Sequence, residues 1–150
     1  MVDFNINGCL GCTACFTEKE RPNCIQQDDA QGIFDRMLAA DLLVYASPLY
    51  AYSFPAQMKS LIDRHFCFVT NPGLPSQSSV VEGKRVVLLV TCSRPQENNS
   101  DLVQTSFDRL FAELKCSIVG KYILANSSAP NFTRNAEEIM KRMASEISAS

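Results

Sequence analysis

Cys9, Cys12, Cys15 and Cys24 place four of the chain's seven cysteines within its first 24 residues. A Cys-x-x-Cys-x-x-Cys run joined by a fourth cysteine further on puts several soft thiolates within reach of one soft centre, which suits an iron-sulfur cluster or zinc. Either way the set points toward metal binding, and with iron toward electron transfer. Structural zinc more naturally takes two separated Cys-x-x-Cys pairs or adds histidine, and the single histidine, His65, is distant in sequence. Among metals, iron with sulfide is the better match. The competing reading is a loop of reduced thiols packed as small hydrophobes, because cysteine is among the most buried residue types even when it binds nothing.

The first three spacings equal those of the bacterial ferredoxin run, but Cys24 lies further away than that run allows, and Ile25 rather than proline follows it. The remaining cysteines are isolated: Cys67 and Cys116 read as core thiols, and Cys92 ends an apolar run. At 150 residues the chain fits one domain, residues 1–150, with enough length for a genuine core. Apolar residues make up 46% and charged residues 20%, ordinary values that exclude disordered, coiled-coil and collagen-like classes. A net charge of −2 and no basic run longer than Lys84-Arg85 leave no electrostatic footprint for nucleic acid or an anionic membrane. No segment approaches the roughly 20 apolar residues of a membrane span, and the N-terminus lacks the blocks of a signal peptide, so a cytoplasmic location is expected. A reducing compartment would keep the thiols available as ligands.

The elements that must position these residues alternate. Asp41–Ser47 and Lys84–Thr91 are short, nearly continuous apolar runs of the kind found in strands buried on both faces. Between them, 55–68 reads as a helix with Pro55 at its start and Ala56, Met58, Leu61, Ile62 and Phe66 on one face. Asp28 and Asp29 can cap a preceding helix bearing Ile33, Phe34, Met37 and Leu38, and Ser100 or Asp101 a later one bearing Val103, Phe107, Leu110 and Leu114. A strand over 117–125 and a helix from about Asn135 complete the pattern, with loops at 70–80 and 93–100. Lys59, Asp63 and Arg64 read as helix-surface or interface groups, with Lys59 and Asp63 at i, i+4 spacing. His65 reads as structural or surface. The alternation predicts an α/β fold with a parallel sheet, whose ligands sit at the carboxyl ends of the strands.

The cysteine run, Asp28-Asp29, Ser47-Pro-Leu-Tyr50, the segment from Pro55 through Lys59 to Asp63-Arg64, and Thr91-Cys92-Ser93 together resemble the NADPH-dependent FMN reductase family. Within it, they are most similar to the iron-sulfur flavoproteins. The resemblance implies a flavodoxin-like three-layer sandwich that binds FMN, is reduced by NAD(P)H and passes electrons to a small-molecule or redox-protein acceptor. It assigns Ser47, Pro48, Leu49 and Tyr50 to the loop lining the flavin ring, and Thr91, Cys92 and Ser93 to the loop beside its pyrimidine edge. It makes Cys9, Cys12, Cys15 and Cys24 candidate ligands of a 4Fe-4S cluster. No residue is assigned a catalytic role. Loops leaving parallel strands can independently supply what a flavin needs, an apolar or aromatic face and backbone N–H donors.

Members of the family begin with a strand, a Ser- or Gly-rich phosphate loop and a helix that this sequence does not show ahead of the cysteine run. The sheet is therefore expected to lack its first strand-helix unit. Exposed strand edges would follow, with pairing to a second copy as one remedy. The same feature sustains a rival expectation, a non-catalytic or metal-binding flavodoxin-like domain that has lost the FMN phosphate loop.

Overall fold

The computed structural model describes residues 3–16 and 21–149. Its elements follow in the order α1 (Ala30–Ala39), β1 (Leu42–Pro48), α2 (Ala56–Ile62), a 3-10 turn (His65–Phe68), β2 (Val69–Thr70), β3 (Ser78–Ser79), β4 (Arg85–Thr91), α3 (Asp101–Glu113), β5 (Ser117–Leu124) and α4 (Phe132–Ala149). β1, β4 and β5 form a parallel sheet in that order. β2 and β3 pair as a short antiparallel hairpin inside the stretch expected to be loop.

The two aspartates before α1 divide their work. Asp28 Oδ1 accepts the N–H of Ala30 at 3.1 Å and so caps the helix. Asp29 instead accepts the N–H of Asn5 at 2.7 Å, tying the N-terminal segment to the start of α1. The expected helix over 55–68 is shorter than its apolar pattern. Pro55 caps α2, and beyond Ile62 the chain tightens into the 3-10 turn. The tighter turn rotates Phe66 out of the apolar stripe, leaving it 46% exposed.

Strand partners in a parallel register share a face, so Leu43, Tyr45, Val86, Leu88, Val90 and Ile123 line one side of the sheet. There they meet Phe34 and Met37 of α1, Leu61 of α2, Phe68 of the 3-10 turn and Val103, Phe107 and Phe111 of α3 in a single core. On the opposite side α4 packs on β5, with a Tyr122 hydroxyl bond to Glu146 at 2.6 Å. β4, in the middle, is buried on both faces as its sequence predicts. β1 is not: its burial alternates, and Val44 is 42% exposed. An apolar run reports what a strand could bury, and here no described helix reaches the second face of the edge strand. Among the described residues, β1 pairs with β4 alone. Its open edge borders a groove lined by Ile33, Met37, Val44, Met58 and Leu61.

His65 is structural, as one of its two expected readings has it. It is wholly buried, its Nε2 lies 2.7 Å from the Tyr45 hydroxyl and its Nδ1 lies 3.0 Å from the Leu61 carbonyl. Tyr45 also packs edge-on against Phe107 and Phe111. Burial pushes the imidazole down to about 4, outweighing the Leu61 carbonyl and the charge of Asp63. The folded protein thus resists protonation that the unfolded chain accepts near its ordinary value of about 6.5. The His65 contribution should be complete above about pH 6.5 and lost as pH falls from there to about 4; urea midpoints across that range should decline in the native chain and stay flatter in His65→Phe. Tyr45→Phe removes the hydroxyl partner of Nε2 and should cost about 1–3 kcal/mol in the same assay at neutral pH.

Candidate functional site

The described residues of the cysteine run form no helix or strand, and hydrogen bonds to the segment leading into α1 hold them in place. Asn7 donates its N–H to Asp28 Oδ2 at 2.9 Å, the Gln26 side chain donates to the Gly8 carbonyl at 3.0 Å, and the Gln31 side chain donates to the Cys24 carbonyl at 2.8 Å. Phe16 stacks on the displaced Phe66, with ring centroids 5.3 Å apart and planes at 29°. Left-handed φ values at Gly11 (+62°) and Thr13 (+57°) curl the run between its cysteines.

Cys9, Cys12, Cys15 and Cys24 all line one cleft of about 230 Å³, together with Leu10, Phe16, Ile25, Phe66, Arg64 and the buried thiol of Cys67. All seven cysteines are free of disulfides. The four run cysteines share a wall, yet among the described residues no three acidic, histidine or cysteine side chains are drawn close enough to cage a metal ion.

Arg64 overturns its expectation as a surface or interface group. Its side chain is 0% exposed and forms an ion pair with Asp28, itself 1% exposed, at 2.6 Å. Nη1 also reaches Asp28 Oδ1 at 2.7 Å, and the guanidinium lies 5.7 Å from the centroid of Phe34. Burial alone would raise the Asp28 carboxyl, but Arg64 and the N–H groups of Asn7 and Ala30 hold it below the ordinary carboxylate range. Burial likewise acts against the Arg64 charge, and Asp28 and Cys24 more than restore it. Lys59 and Asp63 do form the expected i, i+4 pair on the exposed face of α2.

The second group of candidate residues sits at the carboxyl end of the sheet. Pro48 and Thr91 are register partners on adjacent strands, and the N–H of Leu49 donates to the Thr91 carbonyl at 2.8 Å, so the two loops leave side by side. Cys92 is locked by its N–H to the Leu124 carbonyl at 2.9 Å, and burial pushes its thiol up. Tyr50 and Ser53 exchange backbone hydrogen bonds at 3.0 and 2.9 Å around a tight turn in which Ala51 and Tyr52 have φ of +47° and +65°. Such a turn normally takes Asn and Gly, so two side chains here adopt a costly conformation. Its result is to display Tyr50, 62% exposed, and Tyr52, 47% exposed.

One cleft of about 220 Å³ opens between the loops, lined by Leu49, Ala51, Tyr52, Ser93, Arg94 and Asn99. A second, of about 300 Å³, lies on the β1 side and is lined by Ser47, Pro48, Tyr50, Pro55 and Met58. The N–H groups of Ala51, Tyr52, Ser93 and Arg94 make no hydrogen bond among the described residues. Loop donors beside exposed aromatic rings can bind a planar heteroaromatic ring. No Ser- or Gly-rich loop among the described residues leads from a strand into a helix to grip a phosphate.

Comparison with known proteins identifies the family and the fold. An iron-sulfur flavoprotein of Methanosarcina thermophila is 40% identical over 53 residues, which is 35% of this chain and 28% of that protein. Another, from Archaeoglobus fulgidus, is 32% identical over 92 residues, 61% of this chain and 39% of the relative. The aligned part of this chain thus spans well under half the length of these relatives. The structure of an FMN-dependent NADH-azoreductase from Bacillus anthracis in complex with FMN superposes with a TM-score of 0.61 at 13% identity, covering 80% of this chain and 60% of that one. That likeness carries the fold, a flavodoxin-like α/β architecture. Residues 1–131 match the family model for NADPH-dependent FMN reductase, and the chain belongs to that family.

Proposed function

We propose that the chain is part of an FMN-dependent NAD(P)H oxidoreductase of the iron-sulfur flavoprotein kind, with the flavin ring held by the loops Ser47-Pro48-Leu49-Tyr50 and Thr91-Cys92-Ser93. The observation that carries this reading is the pairing of Pro48 with Thr91 at the carboxyl end of a parallel sheet, which brings both loops to one mouth. FMN, when bound, supplies the chemistry, accepting hydride from a nicotinamide and releasing electrons singly or in pairs.

What the chain contributes is placement. Tyr50 and Tyr52 offer aromatic faces, and the free N–H groups at Ala51, Tyr52, Ser93 and Arg94 are donors for the polar edge of a flavin. Arg94 is an exposed cation beside that edge, suited to offset negative charge there. Cys92, buried and with its thiol pushed up, is a packing group under the loop rather than a nucleophile. The residues present fit the ring better than the phosphate. We assign Cys9, Cys12, Cys15 and Cys24 to a 4Fe-4S centre that passes electrons onward to a small-molecule or protein acceptor. Four cysteines outside any disulfide along one cleft support that donor set. The family match speaks against a non-catalytic, purely metal-binding domain.

Titration of the purified chain with FMN should quench flavin fluorescence, and NADPH added without oxygen should bleach the flavin absorbance. A chain that leaves FMN fluorescence unchanged at millimolar protein, or a bound flavin that NADPH does not bleach, would overturn the assignment. Tyr50→Ala should weaken FMN binding by about three- to tenfold, the size of one aromatic contact, without lowering thermal stability, because that ring is largely in solvent. Riboflavin should bind within about threefold of FMN, since the loops address the ring.

A further inference from the structure

Arg64 is completely buried, yet its nitrogens are unequally used. Nη1 carries both contacts to Asp28, at 2.7 and 2.6 Å, and a longer one of 3.4 Å to the Asn7 carbonyl. Among the described residues, Nη2 reaches only the Gln26 carbonyl, at 3.4 Å, and the buried Nε has no hydrogen-bond partner. Nε and Nη2 form the edge with which a guanidinium donates two parallel hydrogen bonds to one acceptor group. Buried donors are rarely left unmade, so an edge with one unpartnered and one weakly bonded nitrogen is suited to a ligand.

The surroundings say which. Arg64 lines the same cleft as Cys9, Cys12, Cys15 and Cys24, and the Cys24 sulfur already helps to hold its charge. Among the described residues the only other charged group on that wall is Asp63, which is engaged by Lys59 on the surface. Four thiolates around iron and sulfide leave a centre with net negative charge, whose burial requires a cation or donors aimed at sulfur.

We propose that the Nε–Nη2 edge of Arg64 binds sulfur of an iron-sulfur centre held by Cys9, Cys12, Cys15 and Cys24, with Cys24 its nearest partner and Asp28 the positioning residue that fixes the guanidinium at the cleft. The assignment rests on the iron-sulfur reading given above. Asp28 grips Arg64 by one nitrogen only, which secures the side chain while leaving the other edge for the cleft. Lysine could supply the charge but not a fixed pair of donors. Donors and positive charge at the sulfurs favour the reduced, more negative state, so Arg64 should raise the reduction potential of the centre.

The test uses the full chain, reconstituted anaerobically with ferrous iron and sulfide, with both counted per chain and the potential measured by redox titration. Native protein is compared with Arg64→Lys, which keeps the charge, and with the double variant Arg64→Gln/Asp28→Asn, in which two amides can still pair and no lone charge is buried. Circular dichroism establishes that each variant is folded, and either one suffices if the other is not. The expected result is cluster uptake by the native chain and a shift of about tenfold toward the oxidised form in the variants, which is about 59 mV for a one-electron centre. Equal potentials and equal iron content in native and variant proteins would overturn the role of Arg64 and leave the iron-sulfur reading standing. A native chain that takes up zinc but no iron and sulfide would overturn both.

Discussion

The buried ion pair between Arg64 and Asp28 is the constraint around which the cysteine-bearing end of the molecule is arranged. One carboxylate accepts from the Arg64 side chain, from the backbone of Asn7 and from the backbone of Ala30. It therefore ties together the N-terminal loop, the first turn of α1 and the segment leaving α2. Removing either partner would leave an uncompensated charge in the interior, which typically costs about 3–5 kcal/mol. A hydrophobic pair of the same volume could hold these segments as well or better, so stability alone does not account for charges here. Retaining an arginine with donors to spare makes sense where an anion must be accommodated nearby.

The other end of the molecule obeys a different rule. At the carboxyl end of the sheet, position is set by backbone pairing: Pro48 stands opposite Thr91, Leu49 bonds Thr91 and Cys92 bonds Leu124. Side chains are then free to face outward, and the strained turn at Ala51 and Tyr52 spends conformational energy on presenting aromatic rings to solvent. A turn selected only for stability would have placed asparagine and glycine there. The core beneath, where Tyr45, His65, Phe107 and Phe111 interlock, supplies the rigid floor that such a loop needs.

The alternation of strands and helices could be read in the sequence because apolar periodicity and capping residues are local signals. β4 starts one residue into its apolar run and ends with it, and α1 begins directly after the Asp28-Asp29 pair expected to cap it. Exposure of β1 could not be read in the same way, since a run such as Leu42-Leu-Val-Tyr-Ala does not encode which of its faces a helix will reach. The break after Ile62 was hidden because the 3-10 turn continues the apolar composition of α2 while changing its angular step. Arg64 was misread for a related reason: at helical spacing it sits beside Lys59 and Asp63, both on the surface. The apolar residues that flank it, Leu61 and Ile62 before and Phe66 to Val69 after, were the available signal that its charge is buried. The Cys9 to Cys24 run could be read as a ligand set from spacing, whereas its curvature depends on long-range bonds to Asp28, Asp29 and Gln31 that spacing does not contain.

These two ends are joined by one short element. α2 begins at Ala56, immediately after the Tyr50–Ser53 turn and Pro55, and ends at Ile62, two residues before Arg64. Seven helical residues rise about 10 Å, so the loop proposed for the flavin ring and the cleft proposed for the iron-sulfur centre flank a single two-turn helix. On the proposed function, α2 would be the packed element standing between the two redox sites. Leu61 and Ile62 anchor the spacer in the core, and Lys59 and Asp63 face solvent, so its axis is fixed by packing on one side and water on the other.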